Sequence, residues 1–159
     1  FYLYDTPGML WPRIIVAQSG YHLAASGAIG RNAFDEEEVG LELLNSLKGP
    51  YADLLTARYG IVDPAGLNDE DLLEAVGRQR GALLGKGRVN LQKAAEIVMH
   101  DFRSGVLGRI TLETPEQFAQ WLAAGKVLDA ARQVKKDAIE QQRLIKFKKI
   151  PRPPRADSA

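Results

Sequence analysis

Residues 90–102 read Asn90-Leu91-Gln92-Lys93-Ala94-Ala95-Glu96-Ile97-Val98-Met99-His100-Asp101-Phe102, and this stretch decides the fold class. Leu91, Ala94, Ala95, Val98 and Phe102 fall on one stripe at a 3.6-residue period, which predicts a helix with a single buried face. Asn90 stands where a side-chain oxygen can accept from the unpaired amides of the first turn. Gly105 and Gly108 end the pattern, and Ile110-Thr111-Leu112 reads as a short extended piece.

Upstream the same grammar recurs. Asn68 caps a helix expected to reach about Arg80, with Leu72, Leu73 and Val76 inward, and a turn through Gly81, Gly85 and Gly87 follows it. Asp35 opens another helix, whose acidic first turn (Glu36, Glu37, Glu38) suits the positive end of a helix dipole. Its apolar face is Val39, Leu43, Leu44 and Leu47, and Gly49-Pro50 stops it. A short helix holds Tyr51, Leu54, Leu55 and Tyr59 and closes at Gly60, and another covers about residues 15–26 and ends at Gly27. Downstream, Thr114-Pro115-Glu116-Gln117 places Thr at the cap, Pro at the first helical position and Gln three residues after the cap. That helix is expected to run to about residue 147, with Phe118, Trp121, Leu122, Leu128, Ala131, Ala138 and Ile145 as a partial apolar stripe and Gly125 as a weak middle. Pro151-Arg152-Pro153-Pro154-Arg155 reads as an extended tail.

Composition narrows the chemistry. The 159 residues are 45% hydrophobic and 26% charged, as in an ordinary domain able to bury a core. With no cysteine there is no disulfide framework, no thiolate catalysis and no cysteine-based metal site. His22 and His100 lie far apart without ligand-type neighbours, so a zinc site is not expected. No apolar run approaches the roughly 20 residues that cross a bilayer, and a cytoplasmic address fits. The net charge of +1 hides a split: residues 1–80 carry 6 Lys/Arg against 12 Asp/Glu, whereas residues 81–159 carry 15 against 8. A basic half of this kind faces either a polyanion or solvent.

The opening run Phe1-Tyr2-Leu3-Tyr4 is strand-like and leads into Asp5-Thr6-Pro7-Gly8. A strand ending in Asp-x-x-Gly is how phosphate-loop GTPases sense the terminal phosphate. The carboxylate holds magnesium through water, and the glycine amide approaches the phosphate with no side chain between. No later segment supplies sheet neighbours for that strand, so the front of the chain is expected to have been removed. Asp63-Pro64-Ala65-Gly66 has the same spacing but no strand before it, and Asn32-Ala33-Phe34-Asp35 matches a guanine-reading spacing without its lysine. Gly81-Ala82-Leu83-Leu84-Gly85-Lys86-Gly87 has one residue too few for a phosphate loop and lacks its Ser/Thr, so all three read as structural.

The run Tyr4-Asp5-Thr6-Pro7-Gly8-Met9-Leu10-Trp11-Pro12 resembles the corresponding motif of the circularly permuted ribosome biogenesis GTPase A family (RbgA/YlqF). Leu23-Ala24-Ala25-Ser26-Gly27-Ala28-Ile29, Ala57-Arg58-Tyr59-Gly60 and the run from His100-Asp101-Phe102-Arg103 to Glu113 resemble it in the same order. The resemblance covers about residues 2–30 and 51–113. It implies a GTP hydrolase whose guanine-reading, phosphate-loop and first switch motifs precede Asp-x-x-Gly. It also implies a helical carboxy-terminal domain that contacts ribosomal RNA on the maturing large (50S) subunit of bacteria.

The fold class expected is therefore mainly α: a helical domain following the last strand and helix of a truncated α/β phosphate-loop GTPase domain. Residues 1–30 would be the end of the GTPase domain, 31–113 the ribosome-binding helical domain, 114–147 a long helix and 148–159 a basic proline-rich tail. By the resemblance Asp5, Thr6, Pro7 and Gly8 bind nucleotide, with Asp5 on Mg2+ through water in the full-length protein. Met9 stands where many GTPases place a water-orienting glutamine, and a thioether cannot orient water. The family is similar there and draws catalytic help from elsewhere, with a potassium ion. This chain alone, without a phosphate loop, is expected to be inactive and to hold no cofactor.

If the helical domain meets RNA, phosphate contacts should come from lysines and arginines near helix ends and turns. The candidates are Arg78, Arg80, Lys86, Arg88, Arg103 and Arg109. Arg58 and Arg103 fit structural ion pairs equally well, and the tail fits either RNA or solvent. Two other readings stay open: a stand-alone helical RNA-binding module, and a protein-interaction domain built on the long helix.

Overall fold

The computed structural model describes residues 14–149, with side chains to residue 143. The expected opening strand, the Asp5-Thr6-Pro7-Gly8 motif and the proline-rich tail from Pro151 lie outside the described residues. Within them the fold is mainly helical, as the periodicity predicts: α1 (Ala17–Ser26), α2 (Glu36–Lys48), α3 (Ala52–Tyr59), α4 (Asp69–Gln79), α5 (Leu91–Arg103) and α6 (Pro115–Lys149). No strand occurs among the described residues; Leu83 and Val89 form one isolated antiparallel bridge.

The caps explain the boundaries. Asp35 Oδ1 accepts from the amides of Glu37 at 2.9 Å and Glu38 at 3.1 Å, so α2 starts there. Asn68 and Asn90 accept in the same way from Asp71 at 2.8 Å and Lys93 at 3.0 Å, opening α4 and α5. At α6 the reciprocal box forms: the Gln117 amide donates to Thr114 Oγ1 at 3.3 Å, and the Thr114 amide donates to Gln117 Oε1 at 2.9 Å. α1 stops at Gly27, whose φ of 87° is left-handed and returns its amide toward the last carbonyls of the helix.

The core is built on α2, which packs against α1, α3, α4 and α5. Leu43, Leu44 and Leu47 of α2 meet Leu72, Leu73 and Val76 of α4 and Ala94, Ala95 and Val98 of α5 in one buried cluster. Fully burying each leucine contributes about 1.5–3 kcal/mol. The α2–α5 crossing is close because Gly40 lies opposite Ala95. A Cβ at Gly40 would stand 2.5 Å from Ala95 Cβ and 3.0 Å from its Cα.

Between α4 and α5 the glycine-rich segment folds on itself. The Ala82 amide reaches Gly77 O, the Asn90 amide reaches Ala82 O at 2.8 Å, and the Leu84 amide reaches Arg88 O at 2.7 Å. Lys86 sits at its tip with a left-handed φ of 66°. Ile110-Thr111-Leu112, expected as an extended piece, joins no strand; both backbone groups of Thr111 are bonded by the Tyr51 hydroxyl, at 2.9 and 3.2 Å. α6 packs on α1 near its start, and from Ala130 to Arg143 every residue is exposed.

Candidate functional site

The two motifs Ala57-Arg58-Tyr59-Gly60 and His100-Asp101-Phe102-Arg103 meet in space. Arg58, in the last turn of α3, donates from Nε to Asp101 Oδ2 at 2.8 Å and from Nη2 to Oδ1 at 2.9 Å. The Tyr59 hydroxyl donates to the same carboxylate at 3.2 Å. Asp101 is the only buried charged side chain among the described residues, at 3% exposure, and both of its oxygens are paired. Burial alone would push its carboxyl up; the hydrogen bonds and charge of Arg58 outweigh this and hold it below the ordinary range. Burial, followed by the charge of Asp101, pushes the Tyr59 hydroxyl up.

Arg103, two residues after Asp101 on α5, has a different duty. Its Nε donates to Ala25 O and its Nη2 to Ala24 O, both at 2.7 Å, so it caps the carboxyl end of α1. Of the two roles the sequence left open for this arginine, the structure displays the structural one, through backbone carbonyls instead of an ion pair. Glu113 then ties α1 to the approach to α6: Ser19 Oγ donates to it at 2.9 Å, and His22 Nδ1 lies at 3.3 Å. His22 also meets the Trp121 ring edge-on at a centroid distance of 5.9 Å. Beside these contacts Ile15, Leu23, Phe102, Leu112, Phe118 and Leu122 help line an apolar groove of about 1360 Å3.

Of the remaining basic candidates, Arg78, Arg80, Lys86 and Arg88 belong to the end of α4 and its connection to α5, whereas Arg109 lies beyond the far end of α5. Arg78 pairs with Glu74 one turn earlier on α4. Arg80 closes α4 with its backbone, Lys86 and Arg88 belong to the folded turn, and Arg109 follows Gly108; all four are exposed. Arg80 lines a second pocket, of about 500 Å3, with Arg58, Lys93 and His100. Lys93 and His100 are not among the RNA-contact candidates the sequence offers, because nothing in the α5 pattern says which of its exposed residues face α3 and α4.

No group of three or more His, Cys, Asp or Glu among the described residues could hold a metal. Asp5, Thr6, Pro7 and Gly8, expected from the resemblance to bind nucleotide, lie outside the described residues. No described helix is long and apolar enough to cross a membrane.

No protein-family model matches the chain. Curated proteins do. The Ribosome biogenesis GTPase A of Bacillus cereus is 35% identical over 119 residues, covering 74% of this chain and 40% of that protein. That of Priestia megaterium is 34% identical over 119 residues, covering 74% and 41%. The Mitochondrial ribosome-associated GTPase 1 of Xenopus tropicalis is 31% identical over 123 residues, covering 70% and 39%. The chain thus spans about two fifths of the length of these relatives, and over that span its identity to them is what a carboxy-terminal part of a ribosome biogenesis GTPase A would show.

Proposed function

We propose that this chain is the RNA-facing helical part of a GTPase that assists assembly of the large ribosomal subunit in the bacterial cytoplasm. The observation that carries the reading is its likeness to proteins named for ribosome biogenesis and GTP hydrolysis. Exposed basic side chains supply the chemistry that a ribosomal RNA backbone needs: Arg78, Arg80, Lys86 and Arg88 around the α4–α5 turn, and Arg103 and Arg109 at and beyond the end of α5.

In this reading residues 1–30 complete a GTPase domain of permuted order and residues 31–113 dock on RNA. The long helix from residue 114 and the basic tail from 148 are auxiliary. Asp5 would hold Mg2+ through water, and Thr6, Pro7 and Gly8 would shape the approach to the terminal phosphate of GTP, with potassium as a second ion. The 159 residues contain no Gly-x-x-x-x-Gly-Lys-Ser/Thr loop, so this chain by itself should neither bind GTP tightly nor turn it over. Measurable hydrolysis by the purified chain would overturn that part.

The deciding experiment is binding of the chain to large-subunit ribosomal RNA at about 50 and 200 mM salt. Binding that weakens steeply with salt supports the reading; no binding at either salt defeats it. A second reading has its own observation: Val127, Leu128, Val134 and Ile139 of α6 are 55–70% exposed. If that face meets protein, the chain should self-associate or pull down a protein partner, independently of RNA and of residues 143–159.

A further inference from the structure

The pocket between α3, α4 and α5 holds more positive than negative charge. Arg31, Arg58, Arg80 and Lys93 line it together with His100, against the two carboxylates Glu96 and Asp101. Each carboxylate is already answered. Asp101 is gripped by Arg58, and Glu96 accepts from Lys93 Nζ at 2.8 Å. Arg31 is answered from α2 by Glu36, at 2.8 Å. Arg80 is left over: among the described residues its side chain makes no hydrogen bond or ion pair. It nevertheless stands near enough to Asp101 and Tyr59 for its charge to lower the pKa of both.

The neighbouring Arg58 is held still. Two of its nitrogens are fixed on Asp101, itself fixed by Tyr59, which leaves Nη1 with no partner among the described residues. A guanidinium whose orientation is already set gives up little side-chain freedom when it meets a further acceptor. An immobilised guanidinium edge beside an unpaired one, in a concave and solvent-open setting, is an arrangement suited to a tetrahedral oxyanion.

We propose that this pocket receives a single backbone phosphate of RNA, with Arg80 as its main ligand and Arg58 as the pre-oriented second. Lys93 and His100 form its outer rim. The inference rests on the RNA-facing reading above and narrows it from a basic surface to one pocket. It also gives the meeting of the Arg58 and Asp101 motifs a purpose beyond stability: Asp101 acts as a positioning residue for Arg58.

The test uses the full 159-residue chain with large-subunit RNA, titrated across salt concentrations. Arg80→Gln is compared with Arg132→Gln, which removes the same charge from the exposed stretch of α6. Arg80→Gln should weaken binding several-fold and lower the slope of log affinity against log salt by about one unit, while Arg132→Gln leaves both near the parent values. Arg80→Lys should restore part of the loss. Arg80 also ends α4 and faces its partial negative charge. A change in melting temperature with RNA affinity untouched would therefore assign Arg80 to the helix end and overturn the proposal. Equal losses in both glutamine variants would reduce it to nonspecific charge. If the parent chain binds no RNA, the broader reading falls and this inference falls with it; if the parent binds and Arg80→Gln binds equally well, the inference alone fails.

Discussion

Arg58 and Asp101, 43 residues apart, face each other in a two-point contact, and the hydroxyl of Tyr59 closes on the same carboxylate. The contact joins the end of α3 to the last turn of α5. Because Asp101 is buried, an asparagine there removes the charge that answers Arg58 and sets an NH2 donor against the Arg58 and Tyr59 donors in place of one carboxylate oxygen. Asp101→Asn should cost about 2–4 kcal/mol in denaturant unfolding.

The same pair sets an acid limit. The Asp101 carboxyl is held below its ordinary value in the folded chain, so it binds a proton less readily there than in the unfolded chain. Its contribution is complete above the ordinary aspartate range, near pH 4, and disappears as pH falls through the lower folded value. Unfolding of the parent and of Asp101→Asn, compared from pH 7 down to pH 2, should show a difference that shrinks only in the acid limb. A difference that stayed constant would refute the ion-pair account.

Arg103→Ala should release the carboxyl end of α1 by removing donors from Ala24 O and Ala25 O. The expected loss is about 1–2 kcal/mol, with faster proteolysis around Gly27. Arg103→Lys should recover little, since one ammonium cannot reproduce the fixed fork of a guanidinium on two carbonyls. Full stability in the lysine variant would contradict this geometry.

Gly40→Ala is a substitution that helix propensity alone would favour by nearly 1 kcal/mol. The structure predicts the opposite sign. The added methyl would press on Ala95, whose backbone belongs to α5, and the two helices would have to part. A net loss of about 1–3 kcal/mol is expected. Thermal melting decides it, and a stabilised variant would show that the crossing can relax.

Gly125→Ala should act in a similar way on a different contact. A Cβ there would lie 2.8 Å from the Ile15 carbonyl oxygen and 3.0 Å from Ile15 Cγ2. The variant should loosen α6 from the segment leading into α1 while leaving the α2–α5 core intact. Near-ultraviolet circular dichroism of Trp121, measured in a Trp11→Phe background, should lose intensity without a matching change in far-ultraviolet signal.

These positions mark how far the sequence could be read. Asp35, Asn68, Asn90 and Thr114 announced their helices because a cap is a local bond to an amide two or three residues ahead. Val39, Leu43, Leu44 and Leu47 declared a buried face for the same reason: periodicity is local. Gly125 was legible only as a weak point in a helix, since the Ile15 carbonyl opposite it lies 110 residues away in the chain. Arg58 and Arg103 illustrate the same boundary. Each was recognisable as either structural or RNA-facing, and only packing reveals that one holds Asp101 while the other caps α1. The surplus charge at Arg80 is a sum over α2, α3, α4 and α5 that no single stretch contains.

The exposed run of α6 gives the molecule two time scales. From Ala130 to Arg143 every residue is exposed, so the amides there are protected chiefly by the helix's own bonds. A stretch of that length is marginal when it stands alone in water. Deuterium should therefore enter it through brief local openings, orders of magnitude sooner than it enters α2 and α5, where exchange waits for the core to come apart. A ligand lying along α6 would announce itself as a slowing of those early amides before it altered the melting of anything else.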